Sequence, residues 1–213
     1  MIFQKHICGP CADKTFVYVI GAEREKDEIC GLCADCSCTL VFVPCADWNR
    51  ELSPWRAPGL LPDGEEFSGE AGVYLQRLLS SVLPVAEEET GVCRRYIAGY
   101  SLAGLFSIWS LYKTDQFHGA ASLSGSLWYD GFLTYTGTHT FLRQPERIVL
   151  SVGGKEKNSK NSRVQCVEDC TRQLYMYYRT LGIDTQFTLH PGGHFANVPY
   201  RIANGIRMLI GDD

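Results

Sequence analysis

Three side chains in this sequence have the types and the chain order that nucleophilic catalysis by a serine requires. Ser101, Glu156 and His194 follow one another, and each stands shortly after a run of β-forming residues. A serine hydroxyl becomes a nucleophile when an imidazole takes its proton, and a carboxylate must orient that imidazole. Together the three residues predict acyl transfer through a serine.

The segment around Ser101 has the small residues that a sharp strand-to-helix turn requires. Gly99 and Ala103 stand two positions before and after the serine, with Gly104 directly behind. Where a strand turns tightly into a helix the two backbones nearly touch, so only small side chains fit. The alternative is a serine that merely caps the following helix. The pentapeptide alone does not decide between the two.

Two histidines compete for the role of general base. His190 ends the last predicted strand, whereas His194 follows a Pro-Gly-Gly turn and opens the last predicted helix. The loop beyond the strand is where a base for Ser101 belongs, which favours His194. We expect His6, His118 and His139 to be surface or structural residues.

The orienting acid has more alternatives than the other two positions. Glu156 lies in the turn after a predicted strand, but its neighbours Lys155 and Lys157 are also consistent with an ordinary surface charge. Glu168 and Asp169 fall inside the next predicted helix and are worse placed. Without Glu156 the site would be a serine–histidine dyad of reduced activity.

The elements that must position these residues follow from the hydrophobic pattern. Short apolar or alternating runs predict strands, and runs with helical spacing predict helices. Their alternation predicts an α/β fold with a mostly parallel, doubly wound sheet, in one domain over residues 1–213. We expect residues 1–15 to be irregular. The predicted strands are 15–20, 40–43, 96–98, 119–123, 147–152 and 185–189; the predicted helices are 22–32, 68–89, 102–112, 163–181 and 195–210.

Two loops are candidates for the substrate pocket. The long Pro- and Gly-rich loop 44–69 contains Trp48 and Arg50, which we expect to line the pocket, although a surface loop anchored by its aromatic residues is equally consistent. The loop 124–128 contains Ser124 and Ser126 next to Trp128. These serines lack the glycine, strand and helix that surround Ser101, so we expect this loop to shape the pocket.

The overall composition excludes several classes of function. A net charge of −4 over 213 residues gives no basic field for nucleic acid or an anionic membrane. The apolar runs are too short to span a bilayer, and residues 1–10 lack the core of a signal peptide, so we expect a cytoplasmic protein. No phosphate-binding loop or His-Glu-x-x-His motif is present, and we predict neither cofactor nor metal. The sequence leaves open whether the chain forms a homo-oligomer.

The ten cysteines allow four interpretations. Disulfides in a secreted protein are one, but no export signal supports it. The pair at 8 and 11 has thioredoxin-type spacing, but it precedes the first predicted strand, where such a pair should follow one. Four thiolates for a zinc ion are a further interpretation, because the spacings resemble those of zinc sites, but no second well-spaced pair follows at the usual distance. Free thiols in a reducing compartment are the interpretation that we prefer. The residues concerned are Cys8, Cys11, Cys30, Cys33, Cys36 and Cys38.

With these residues assembled, the chain resembles the esterase family of α/β-hydrolases that includes enterobactin-type siderophore esterases and esterase D-like enzymes. The resemblance runs from about residue 40 to residue 213. It rests on the segments 47–55, 98–104, 123–128 and 191–195, of which the second and the fourth are the most specific. Residues before 40 match nothing in that family, so the resemblance gives them no role.

The resemblance implies a serine carboxylic ester hydrolase whose substrate is a small-molecule ester. It implies Ser101 as nucleophile, His194 as base, and an oxyanion hole made by the backbone amide of Leu102 and a second amide near Ala46. The short chain without a cap suggests a shallow, open pocket and a small or exposed ester.

Two departures from the family pattern favour an alternative function. Ala103 stands where the family has glycine, and Gly154 stands where some relatives have an acidic residue. A non-catalytic binding protein built on a hydrolase scaffold would tolerate both.

Overall fold

The computed structural model of the protein describes residues 2–9, 14–61, 64–88 and 90–212. Its strands lie close to the predicted runs, with one addition near the beginning of the chain and two short strands inside the long loop. They are β1 (Gln4–Cys8), β2 (Thr15–Ile20), β3 (Cys38–Val43), β4 (Arg56–Ala57), β5 (Phe67–Ser68), β6 (Arg94–Tyr100), β7 (Gly119–Leu123), β8 (Arg147–Gly153) and β9 (Asp184–His190).

The helices likewise follow most of the predicted runs. They are α1 (Lys26–Leu32), α2 (Trp48–Glu51), α3 (Ala71–Arg77), α4 (Leu83–Ala86), α5 (Leu102–Ser110), α6 (Phe132–Thr138), α7 (Ser162–Gln165), α8 (Val167–Thr180) and α9 (Val198–Ile210). A wide π-helical turn at Leu78–Val82 joins α3 to α4. Pro84 lies just beyond this turn and has no backbone N–H to donate, which explains why one predicted helix is divided into three parts.

Seven strands form one sheet in the order β1-β3-β2-β6-β7-β8-β9. All neighbours are parallel except β1, which runs antiparallel to β3. The predicted α/β fold with a mostly parallel, doubly wound sheet is therefore confirmed.

The first strand corrects one prediction. Residues 1–15 were expected to be irregular, yet β1 pairs along its whole length with β3, for example His6 with Leu40. An edge strand with one neighbour needs little apolar sequence, and all of β1 except Cys8 is exposed. For this reason the segment has no hydrophobic pattern that would reveal it.

The sheet is buried on both faces, as the continuous apolar strands require. One face packs against α3, α5 and α8, with Tyr18 and Phe106 in its core. The opposite face packs against α1 and α9, with Val19 and Ile206 in its core. Since the parallel strands all end at the same edge, the loops after β2, β6, β8 and β9 meet there. Within the described residues, no helix is both long and apolar enough to cross a bilayer.

Candidate active site

Ser101 occupies the sharp turn between β6 and α5. Its backbone has φ 55° and ψ −122°, an unfavourable conformation for a residue with a side chain. A Cβ atom placed on Gly99 would lie 2.4 Å from the backbone of Ala103, so strand and helix do touch as the sequence predicts. Ala103 is tolerated in place of glycine because the glycine at position 99 leaves room for its methyl group.

The structure brings Ser101, His194 and Glu156 together in one hydrogen-bonded line. His194 Nε2 lies 3.0 Å from Ser101 Oγ, and His194 Nδ1 lies 2.7 Å from Glu156 Oε2. When Nδ1 carries the proton and donates it to the carboxylate, Nε2 is free to accept the serine proton. The histidine side chain is 29% exposed and the carboxylate only 1%, so the line runs from the solvent side into the interior.

Glu156 begins a short 3₁₀ turn just beyond β8 and is held by several donors. Its Oε1 accepts the Gly153 N–H at 2.6 Å and its Oε2 accepts from His194. Burial raises the pKa of Glu156, but the hydrogen bonds from His194 and Gly153 outweigh burial, so the pKa lies below its ordinary value. The carboxylate is thus ionised at neutral pH, as an acid that orients a histidine must be.

A buried arginine that the sequence analysis missed contacts this line. Arg201 is 1% exposed, and its guanidinium donates to Glu156 Oε1 at 3.3 Å and to Ser124 Oγ at 2.9 Å. A signal for it exists in the sequence, because Arg201 precedes Gly205 and Leu209 at helical spacing on the buried face of α9. A single arginine on an otherwise apolar, buried helix face indicates that its charge has a buried polar or acidic partner.

Of the two backbone N–H groups predicted to bind an oxyanion, the structure corrects one. Leu102 is the first residue of α5, so its N–H has no partner within the helix and stands next to Ser101. Ala46, predicted as the second donor, instead donates its N–H to the buried carboxylate of Glu51 at 3.0 Å. The reason is strand order: β3 is separated from β6 by β2.

The loop next to Ser101 is therefore the one after β2. Ile20 is paired with Gly99, so two residues further along each strand come Ala22 and Ser101. Ala22 lines the same cavity as Ser101, and its N–H has no acceptor within the described part of the chain. The Ala22 amide is the position that fits the second donor.

A cavity of about 860 Å³ opens over Ser101 and His194. Trp48 and Trp128 line it as predicted, and the Trp48 ring lies against Gly21. Arg50 was predicted to line it as well, but its side chain points to Asp47 and Glu70 at the surface. The volume is sufficient for a drug-sized ligand, so the pocket is larger than the short chain led us to expect.

The other histidines and serines that the sequence offered as candidates lie in different environments from His194 and Ser101. His190 is buried at the end of β9, and burial together with the nearby Arg201 lowers its pKa. Ser124 accepts from Arg201, while Ser126 lines the cavity and donates its backbone N–H to Ser101 O at 2.9 Å. His6 and His139 are exposed, and His118 accepts the Arg95 N–H.

The cysteine predictions are only partly open to test, because Cys11 lies outside the described residues. The nine described cysteines are free thiols. Cys8 is the last residue of β1 and faces Cys38 across the β1–β3 ladder. Among the described residues, no group of three or more His, Cys, Asp or Glu side chains has the geometry to hold a metal ion.

The strand order and the turn at Ser101 define the α/β-hydrolase fold, and comparison with known proteins agrees. No protein-family model matches the sequence. The uncharacterized protein YbbA of Bacillus subtilis (strain 168) is 28% identical over 150 residues, which are 67% of this chain and 60% of that protein's length.

Solved structures resemble this chain over nearly its whole length. Siderophore hydrolase EstA from Aspergillus nidulans superposes with a TM-score of 0.76 at 17% identity, covering 98% of this chain and 94% of EstA. The enterochelin esterase from Shigella flexneri gives 0.71 at 16% identity, covering 98% of this chain and 53% of that one. At such low identity these matches establish the fold.

Proposed function

We propose that the protein is a serine esterase, which hydrolyses carboxylic esters through a covalent acyl-enzyme. The observation that carries the proposal is the continuous line from Ser101 Oγ through His194 to Glu156, with distances of 3.0 Å and 2.7 Å. A serine, a histidine and a carboxylate in this geometry form the arrangement that activates a hydroxyl. The complete line favours catalysis over a non-catalytic binding role.

In the first step, Ser101 Oγ attacks the ester carbonyl carbon while His194 Nε2 takes the hydroxyl proton. The negative charge that develops on the carbonyl oxygen is stabilised by the N–H groups of Leu102 and Ala22. Each such donor contributes about 3 kcal/mol to lowering the barrier. When the intermediate collapses, the bond to the alcohol oxygen breaks and His194 gives its proton to the leaving alcohol.

In the second step, water replaces the alcohol. His194 takes a proton from the water, whose oxygen attacks the acyl carbon and forms a second tetrahedral intermediate. The bond to Ser101 Oγ then breaks, the proton returns to the serine, and the carboxylic acid leaves. Glu156 stays ionised throughout and stabilises the protonated imidazole.

The cavity indicates what kind of ester the site accepts. Trp48 and Trp128 supply apolar walls, and the exposed Phe195 ring lies 5.0 Å from the His194 ring at the mouth. This favours a substrate with an apolar or aromatic part that extends beyond the scissile bond. The matched proteins are described as a siderophore hydrolase and an enterochelin esterase, which supports testing esters of that size first.

A fluorophosphonate probe together with nitrophenyl esters of increasing acyl length tests the proposal. We expect the probe to label the wild type at Ser101, and Ser101→Ala to abolish both labelling and hydrolysis. Ser126→Ala is the matched control, since it removes a second cavity hydroxyl but keeps the backbone N–H that Ser126 donates to Ser101 O. Hydrolysis that survives in Ser101→Ala, or a wild type that neither labels nor hydrolyses any ester, contradicts the proposal.

A further inference from the structure

The guanidinium of Arg201 contacts groups at the ends of the four strands that precede Ser101, Ser124, Glu156 and His194. Its Nη1 donates to Tyr100 Oη at 3.1 Å, to Ser124 Oγ at 2.9 Å and to Glu156 Oε1 at 3.3 Å. Its Nη2 donates to the carbonyl oxygens of Pro191 at 2.9 Å and Gly193 at 3.0 Å. One side chain of α9 thus joins the ends of β6, β7, β8 and β9.

We propose that Arg201 is a positioning residue for ester hydrolysis, acting through Glu156 and the loop of His194. This inference rests on the proposed function of the site. Arg201 does not line the cavity over Ser101, so its effect reaches the substrate only through the groups that it orients.

The first group is the carboxylate of Glu156. Its two oxygens have separate tasks: Oε1 accepts from Gly153 and Arg201, and Oε2 accepts from His194. A buried guanidinium needs a negative partner, and Glu156 is the one carboxylate within ion-pair distance of Arg201 among the described residues. Because Oε1 is held on one side, Oε2 is left facing the imidazole.

The second group is the turn that carries the base. Arg201 Nη2 binds the carbonyls on both sides of Gly192, whose φ of 88° makes the turn between β9 and His194. The phenol of Tyr100, itself bound by Arg201, donates to His194 O at 2.6 Å. Arg201 therefore holds both the backbone around His194 and the carboxylate of Glu156, which orients the His194 ring.

A merely structural arginine would behave differently from a positioning one, and the chain offers a matched control. Arg95 is 27% exposed and makes a two-point ion pair with Glu87 that contacts no group of the site. Arg95→Met therefore removes a comparable ion pair elsewhere, whereas Arg201→Met removes the one beside Glu156.

The experiment compares wild type, R201M, R201K and R95M in steady-state hydrolysis of one nitrophenyl ester. We expect R201M to lower kcat by about 100-fold with little change in KM, because the reacting groups are misplaced while the cavity walls remain. R201K keeps the charge but loses the fork of donors, so we expect it to recover part of kcat. R95M should keep the wild-type kcat.

The second readout does not depend on turnover. The proton shared by His194 Nδ1 and Glu156 should give a far-downfield ¹H NMR resonance in the wild type, which we expect to be lost or shifted in R201M and retained in R95M. If the wild type hydrolyses no ester, the proposed function fails while this resonance still tests the position of Glu156.

Two results would overturn the inference: R201M with kcat within about twofold of wild type, or a resonance that R201M leaves unchanged. If R201M does not fold, R201K and R201Q, which retain hydrogen-bond donors, are measured in the same way. A drop in thermal stability with unchanged kcat and resonance assigns Arg201 a structural role only.

Discussion

At the scale of the residue, the candidate site depends on a carboxylate that is buried and yet ionised. Glu156 accepts hydrogen bonds from Gly153, His194 and Arg201, which together compensate for the loss of water around it. Neighbouring Lys155 and Lys157, which made a surface position plausible from sequence, are exposed: Lys155 lines the mouth of the cavity and Lys157 pairs with Glu168. The buried side chain at position 156 is the one that the proposed mechanism needs.

Replacing Glu156 by glutamine tests its role in orienting the histidine. The amide cannot hold the imidazole with Nδ1 protonated as the carboxylate does, so we expect kcat to fall by roughly 10³- to 10⁴-fold. Glu168→Gln is the control, because Glu168 is also largely buried and paired, with Lys157 and Arg172, but lies on α8 outside the line. Equal kcat in both variants would remove Glu156 from the mechanism.

The pKa of Glu156 also predicts a pH dependence of folding stability. A carboxyl whose folded pKa is depressed contributes stability that is present above its unfolded pKa of about 4.3 and is lost as pH falls through the lower folded value. We therefore expect the free energies of unfolding of wild type and Glu156→Gln to differ at pH 7, and the difference to shrink as pH falls from the unfolded pKa through the lower folded pKa. Urea titrations across that pH range measure the free energy of unfolding of both proteins. A difference between them that stays constant with pH would contradict the prediction.

At the scale of the element, the contact between β6 and α5 sets the position of the nucleophile. Gly99 and Ala103 meet there, and Gly104 faces Ser122 of β7 and Gly125 in the loop after it. Close approach on both sides leaves no room for the helix to shift without moving Ser101.

Gly99→Ala is expected to damage both stability and activity. The new methyl group would lie 2.4 Å from the backbone of Ala103, and overpacking of this kind costs about 1–3 kcal/mol. We expect a lower thermal midpoint and a reduced kcat, measured by calorimetry and ester hydrolysis. Gly72→Ala is the control, since nothing lies within 4 Å of its added Cβ in α3, and it should leave kcat unchanged.

At the scale of the whole molecule, the distribution of thiols between core and surface predicts their reactivity. Cys33 and Cys38 are fully buried, and burial raises the pKa of Cys33, whereas Cys93 is exposed before β6. We expect a thiol reagent to modify Cys93 rapidly, and Cys33 and Cys38 only on unfolding, as followed by peptide mass spectrometry. Rapid native-state modification of Cys38 would contradict the fold around β1 and β3.

Much of the fold was predictable because its signals are local. Apolar runs revealed β2, β3, β6, β7, β8 and β9, and Ser101, Glu156 and His194 were found because each stands just beyond such a run. The missed elements lack that signal: β1 is an exposed edge strand, and α6 has no long apolar period.

What the sequence by itself determined is therefore six strands of the sheet, the main helices, their order along the chain, and the candidate nucleophile, base and acid. Only the tertiary structure decided which loops surround Ser101. Strand pairing places β2 beside β6, which brings Ala22 to the serine and leaves Ala46 bound to Glu51. It also decided that Arg201 and Glu156, 45 residues apart, share one buried site. The physical reason is that periodicity reports which side of an element is buried, whereas neighbours distant in sequence are chosen by the packing of the whole sheet.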